Sequence, residues 1–202
     1  RIIRNAETNL GDLCADAYRA LSNADIAFVN GGGIRKQIEA GDITLDDIYS
    51  VHPFGNTMCV IRVTGQQVLD ALEWGARAVP SENGGFLQVS GLTYEIHTGV
   101  ASSAEKDENG MFTRVSGEYR VKNVMVGGQP LELDKTYTLA SHNYMLLGHG
   151  DGYTMFDGCE VLGEDMMVDN QVLITYITTT LGGVVGEQYA NPYGDGRIVA
   201  VE

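Results

Sequence analysis

The sequence is short of positive charge: 13 lysines and arginines stand against 27 aspartates and glutamates, a formal charge of −14 over 202 residues. A surface that acidic repels a phosphodiester backbone, so nucleic acid is not an expected partner. A small anion is still compatible, because two or three arginines reverse the field inside a cleft. Long apolar runs are missing too. The longest, such as Met58 to Val63, are strand-sized, far below the ~20 residues of a membrane-spanning helix. Cysteine is scarce. Cys14, Cys59 and Cys159 form no CxxC pair and are odd in number, which excludes a disulfide framework. Cys14 and Cys59 fall in apolar patterns and read as core residues. Catalytic signatures are absent as well: no Gly-x-Ser-x-Gly elbow, and no Asp-x-His or Gly-Asn-His motif to hold a metal. The chain opens Arg1-Ile2-Ile3-Arg4 with no initiator methionine and no basic-then-apolar leader, and reads as a fragment of a longer protein.

What is present is an irregular interleaving of helical and strand periods. Thr8 and Asn9 cap a helix whose Leu10, Leu13, Cys14, Ala17 and Leu21 share one face. Asp25 to Val29 is an apolar run that reads as a buried strand ending at Asn30. Thr44 opens a short helix with Asp46 and Asp47 at its favourable end. Met58 to Val63 predicts a strand, and Val68, Leu69, Leu72 and Ala76 a second long helix after Thr64 and Gly65. Leu87 to Ile96, broken by Gly91, alternates like a strand pair. Ala101 to Gly117 is polar and reads as an exposed loop or hairpin. Strands follow over Glu118 to Val126, Tyr137 to Ala140 and Arg197 to Val201, with a turn at Gly127-Gly128 and a third helix around Val172, Leu173, Tyr176 and Ile177. The reading is α+β: a single mixed-sheet domain over residues 1–202, with helices packed on it.

Four stretches are suited to chemistry. Asn30-Gly31-Gly32-Gly33-Ile34-Arg35 follows a strand. Its glycines permit positive φ and close backbone approach, its N–H groups suit phosphate, and Arg35 adds a fork of donors. A tight turn with a surface arginine is the plainer account. His52-Pro53-Phe54-Gly55-Asn56 sets an aromatic on a stiff loop, either as a core anchor or as a stacking platform, with Asn56 able to bond a base edge. Ser141 to Phe156 contains Gly-His-Gly-Asp-Gly, which no regular element tolerates. Asp151 on that thin loop suits a sugar diol, a cation or the ordering of its own turn, and Tyr144 is a second platform. His142, His149 and Asp151 read as turn chemistry rather than as metal ligands. Arg4 to Gly11 offers either an Arg4–Glu7 surface pair or an arginine for phosphate.

Taken in order, Arg4…Glu7…Asn9-Leu10-Gly11, Asn30-Gly31-Gly32-Gly33-Ile34-Arg35, Pro53-Phe54-Gly55-Asn56 and Gly150-Asp151-Gly152-Tyr153 resemble the C-terminal domain of the 5'-nucleotidase, UDP-sugar hydrolase and 2',3'-cyclic phosphodiesterase family. Val124 to Pro130, Asp134-Lys135-Thr136-Tyr137 and Gly196-Arg197-Ile198 extend the likeness over nearly the whole chain. The departures are Gly-His-Gly-Asp-Gly in place of Gly-Gly-Asp-Gly, and tyrosine at 144 where phenylalanine is common. The resemblance implies a parent with an N-terminal metallophosphoesterase domain holding two divalent metals, so that this chain carries no catalytic residue and no metal of its own. It implies that Phe54 and Tyr144 sandwich a base, Asn56 contacts the base, and Asp151 accepts from ribose hydroxyls. Arg4 and Arg35, with Asn30 and the loop at Gly32 and Gly33, would hold phosphate or other polar groups of a nucleoside or nucleotide. The parent is expected to be extracytoplasmic and to hydrolyse nucleoside 5'-phosphates, and the isolated chain to hydrolyse nothing. The alternatives are a cyclic-nucleotide or UDP-sugar enzyme, or a non-catalytic nucleotide-binding or adhesion module.

Overall fold

A computed structural model describes residues 1–202. The strands are β1 (Ile26–Asn30), β2 (Met58–Thr64), β3 (Leu87–Ser90), β4 (Leu92–His97), β5 (Ala104–Lys106), β6 (Phe112–Val115), β7 (Val121–Val126), β8 (Gln129–Pro130), β9 (Thr136–His142), β10 (Glu160–Gly163) and β11 (Ile198–Val201). The helices are α1 (Asn9–Ser22), α2 (Leu45–Val51), α3 (Gly65–Ala76), α4 (Asn143–Leu146) and α5 (Asp169–Thr175). Three helix starts are set by threonine caps. The Thr8 hydroxyl accepts from the Gly11 N–H, and Thr44 and Thr64 form capping boxes with Asp47 and Gln67.

A five-stranded sheet runs β10-β2-β9-β1-β3, and a four-stranded sheet runs β11-β4-β7-β8. Because strand side chains alternate, β1 feeds two cores at once. Ile26 and Phe28 join α3 and the small sheet on one face, while Ala27 and Val29 meet α1 and α5 on the other. Cys14 and Cys59 are buried, one in each core.

Two expectations change. Leu87 to Ile96 does form two strands, but they do not pair with each other: Gly91 (φ 82°) carries the chain from β3 in the large sheet to β4 in the small one. Ala101 to Gly117 does form a hairpin, β5 with β6, but it is not merely an exposed extension. Its Phe112 is buried against Trp74, with ring centroids 5.7 Å apart at 67°.

The Arg4–Glu7 surface pair, one of the two readings of the N-terminal stretch, does not form. Glu7 is buried and accepts from the N–H groups of Asp195 (2.6 Å), Gly196 (2.9 Å) and Ile198 (2.7 Å), tying the segment that leads into α1 to the start of the last strand. Beside it Asp12 is 2% exposed; its Oδ1 has no hydrogen-bond partner and lies 3.7 Å from Arg197 Nε. Burial pushes the Asp12 carboxyl up to about 8; Arg197 pulls it down and Glu7 pushes it further up. An acid raised above its unfolded value of 3.8 contributes stability that is complete below pH 3.8. That stability drains away as pH climbs to about 8. Asp12→Asn removes this titration. Its melting temperature is expected to exceed that of the parent chain at pH 8, with the gain shrinking by pH 4. An equal gain at both pH values would rule the titration out.

Candidate functional site

The topology explains how distant stretches meet. β1 and β9 are parallel neighbours (Ala27 opposite Ala140), so both end at one edge of the sheet. β2 and β3 run antiparallel to them (Met58 opposite His142, Asn30 opposite Leu87), so both begin at that edge. The loops after β1 and β9 and before β2 and β3 therefore open together, at the carboxyl ends of a parallel pair, where open sheets bind ligands.

Between these loops lies a cleft of about 370 Å3. Arg4, Asn30, Gly32, Gly33, Arg35, Phe54, Asn56, Tyr144 and Asp151 all line it, and the tenth lining residue is Gly84. Phe54 is 59% exposed, which excludes the core-anchor account, and Tyr144 is 44% exposed. The Arg35 guanidinium lies 5.6 Å from the Phe54 ring centroid and donates to the Gly32 carbonyl at 3.2 Å. Arg4 Nε is buried and has no partner. The Asn56 carbonyl accepts from the Asp169 N–H at 2.8 Å, which fixes the phenylalanine loop to α5.

The aspartate loop is irregular, with His149 (φ 55°) and Asp151 (φ 54°) both left-handed. Trp74 Nε1 holds it by donating to the Asp151 carbonyl at 2.9 Å. Asp151 Oδ2 accepts from Asn30 Nδ2 at 2.6 Å, while Oδ1 stands 3.4 Å from the Tyr144 hydroxyl. Gly150 passes directly over the Tyr144 ring; a Cβ there would overlap it. Behind Asn30, its Oδ1 faces His142 Nε2 at 2.9 Å. Burial lowers the His142 pKa to about 4, with nearby His52 adding to the shift, so the ring is neutral at pH 7. His149 turns to the Asp157 carboxylate instead.

The glycine loop works differently from the expectation. Its N–H groups are all taken: Gly31 donates to Phe86 O (2.7 Å), Gly32 to Gly84 O (2.7 Å) and Gly33 to Asn30 O (2.9 Å). None of the three has positive φ. They are small because neighbouring atoms crowd them, backbone at Gly31 and Gly32 and the Asn30 side chain at Gly33. A Cβ on Gly31 would collide with the Ile3 carbonyl, on Gly32 it would sit 2.9 Å from Gly84 O, and on Gly33 2.7 Å from Asn30 Oδ1. Positive potential in the cleft therefore comes from Arg4 and Arg35, not from a cradle of amides. Asn30, with both ends of its amide engaged, acts on Asp151.

Sequence reasoning missed Gly84, Trp74 and the partnership of His142 with Asn30. The single tryptophan and the Gly84-Gly85 pair were the only local signals. The contacts join residues 77 and 112 positions apart, which no local pattern encodes.

A family model described as 5'-nucleotidase, C-terminal domain, matches residues 1–158. The trifunctional nucleotide phosphoesterase protein YfkN of Bacillus subtilis is 36% identical over 203 residues, covering 98% of this chain and 13% of that protein. The 5'-nucleotidase of Vibrio cholerae is 33% identical over 176 residues, covering 87% of this chain and 28% of that protein. The crystal structure of a 5'-nucleotidase precursor from Thermus thermophilus superposes with a TM-score of 0.81 at 31% identity, over 98% of this chain and 36% of that one. This chain thus spans between 13% and 36% of the length of these relatives. With the α+β fold and a shared sequence along nearly its whole length, the chain belongs to the family of 5'-nucleotidase C-terminal domains.

Proposed function

We propose that this chain is the substrate-recognition domain of a metal-dependent 5'-nucleotidase. It holds a nucleoside 5'-phosphate while a separate domain hydrolyses it to nucleoside and phosphate. The observation that carries this reading is the Asn30–Asp151 bond. It sets one carboxylate among two exposed rings and two arginines in a single 370 Å3 cleft, a volume within the usual range for small ligands. Phe54 and Tyr144 supply faces for a base, and stacking tolerates any base because each has a π-face. Asp151 Oδ1 accepts from the ribose diol, Asn56 bonds a base edge, and Arg4 and Arg35 take the phosphate oxygens.

The two divalent metals implied by the resemblance belong to the other domain. The cleft does not offer the ligand set for such a pair: Asp151 has one oxygen tied to Asn30, His142 Nε2 faces Asn30, and His149 turns to Asp157. This chain contributes positioning, which by itself supplies a large part of a rate enhancement. The same reading puts the parent outside the cytoplasm, in keeping with the precursor form of the Thermus relative; fractionation of the source cells tests it. The division of labour is tested with the 202-residue chain, AMP and added Mn2+. Binding without phosphate release is the expected result. Phosphate release by chain free of contaminating phosphatase would overturn the division, and failure to bind AMP or adenosine would overturn the site.

A further inference from the structure

We propose that His142 is a positioning residue for ligand recognition: acting through Asn30, it dictates how Asp151 presents its carboxylate to the cleft. This rests on Asp151 being the ribose acceptor.

The orientation of each group follows from the next. A carboxylate only accepts, so the Asn30 amide must turn Nδ2 toward Asp151 Oδ2, where the two atoms lie 2.6 Å apart. That places Asn30 Oδ1 against His142 Nε2 at 2.9 Å. A carbonyl oxygen also only accepts, so Nε2 must carry the imidazole proton. The opposite tautomer would set two acceptors face to face and leave a buried N–H unpaired, since His142 Nδ1 has no partner in the protein. His142 is 3% exposed, and its burial keeps the ring neutral. One protonation state and one tautomer are therefore compatible with the structure.

The ring is also held in place. His142 is the last residue of β9, beside the end of β1 that carries Asn30. Tyr18 meets the imidazole edge-on, with centroids 6.4 Å apart at 73°, and the Tyr144 ring lies 5.9 Å away. The rigid centre of the sheet is thus connected to a carboxylate on an irregular glycine loop. With Oδ2 tied down, Oδ1 remains turned to the cleft, 3.4 Å from the Tyr144 hydroxyl. Without the imidazole N–H, the Asn30 amide is free to flip. Its oxygen would then repel the carboxylate, and Asp151 would lose its fixed aim.

The experiment has two parts, both on the 202-residue chain. In 15N NMR of the unliganded protein at pH 7, His142 is expected to carry its proton on Nε2; a proton on Nδ1 overturns the proposal without any variant or ligand. In calorimetry, adenosine and 2',3'-dideoxyadenosine are compared on the parent chain, Asp151→Asn, His142→Phe and His142→Gln. Asp151→Asn and His142→Phe are each expected to weaken adenosine about tenfold while nearly sparing the dideoxy compound. His142→Gln, whose amide nitrogen can reach the Nε2 position, is expected to restore most of the loss. If Asp151→Asn fails to discriminate, the ribose reading is what fails. If it discriminates but His142→Phe leaves the ratio unchanged, the positioning role fails. Should His142→Phe not fold, the tautomer and the His142→Gln ratio decide.

Discussion

Phe54→Ala is expected to weaken adenosine binding roughly tenfold to a hundredfold while leaving the melting temperature almost where it was. The first half follows from the ~1–3 kcal/mol that one base–aromatic stack is worth. The second follows from exposure: the ring is 59% exposed on a Pro53-Phe54-Gly55 loop, so its removal opens no cavity in either core. Also at stake is the guanidinium of Arg35, 5.6 Å from the ring centroid, worth ~0.5–1 kcal/mol at an exposed site. Because stacking does not depend on base identity, guanosine and cytidine should suffer alongside adenosine, and Phe54→Trp should retain binding that Phe54→Leu loses. Calorimetry paired with a thermal melt checks both halves. A variant that unfolds, or one that binds as the parent chain does, removes Phe54 from the site. Tyr144→Ala is a less clean test. Tyr144 packs under Gly150, and its hydroxyl accepts from the Asp151 N–H at 3.3 Å, so truncation disturbs the carboxylate as well as the stack.

Asp151→Asn is expected to cost adenosine about tenfold in affinity and 2',3'-dideoxyadenosine little, because a hydrogen bond to a charged acceptor is worth about 1.5–3 kcal/mol. The substitution isolates charge. Asparagine accepts the left-handed conformation (φ 54°) that residue 151 adopts, and its amide oxygen can still take the N–H of Asn30. What disappears is the negative oxygen facing the cleft. Equal losses for the two nucleosides would reduce Asp151 to a residue that orders its own turn. No loss for either would place the ribose elsewhere.

Much of the fold was legible because its determinants are local. Threonine caps at 8, 44 and 64 start helices by satisfying backbone N–H groups within three residues. Unbroken apolar runs identify β1 and β2, which are buried on both faces, and an apolar period of 3.6 identifies α1 and α3, which bury one. The same logic stops at partnership. The period of two that marks Leu87 to Ile96 says that strands exist, and cannot say that Gly91 sends the two halves into different sheets. Glu7 looked like half of a surface pair because the groups that solvate it, the N–H groups of Asp195, Gly196 and Ile198, lie at the far end of the chain.

The candidate site divides in the same way. The residue types in the four loops, two aromatics, two arginines, an aspartate and tight glycines, are properties of the sequence, and so is the family that their order indicates. What those residues do to one another was decided by tertiary structure. The glycine N–H groups are consumed by Phe86, Gly84 and Asn30, and Asn30 divides its amide between Asp151 and His142. The physical reason is that a buried polar group must find a partner wherever the fold brings one, while a one-dimensional sequence records only the group's need. Strand direction supplied the partners: β1 and β9 end together, β2 and β3 begin there, and residues more than a hundred positions apart came within hydrogen-bond distance.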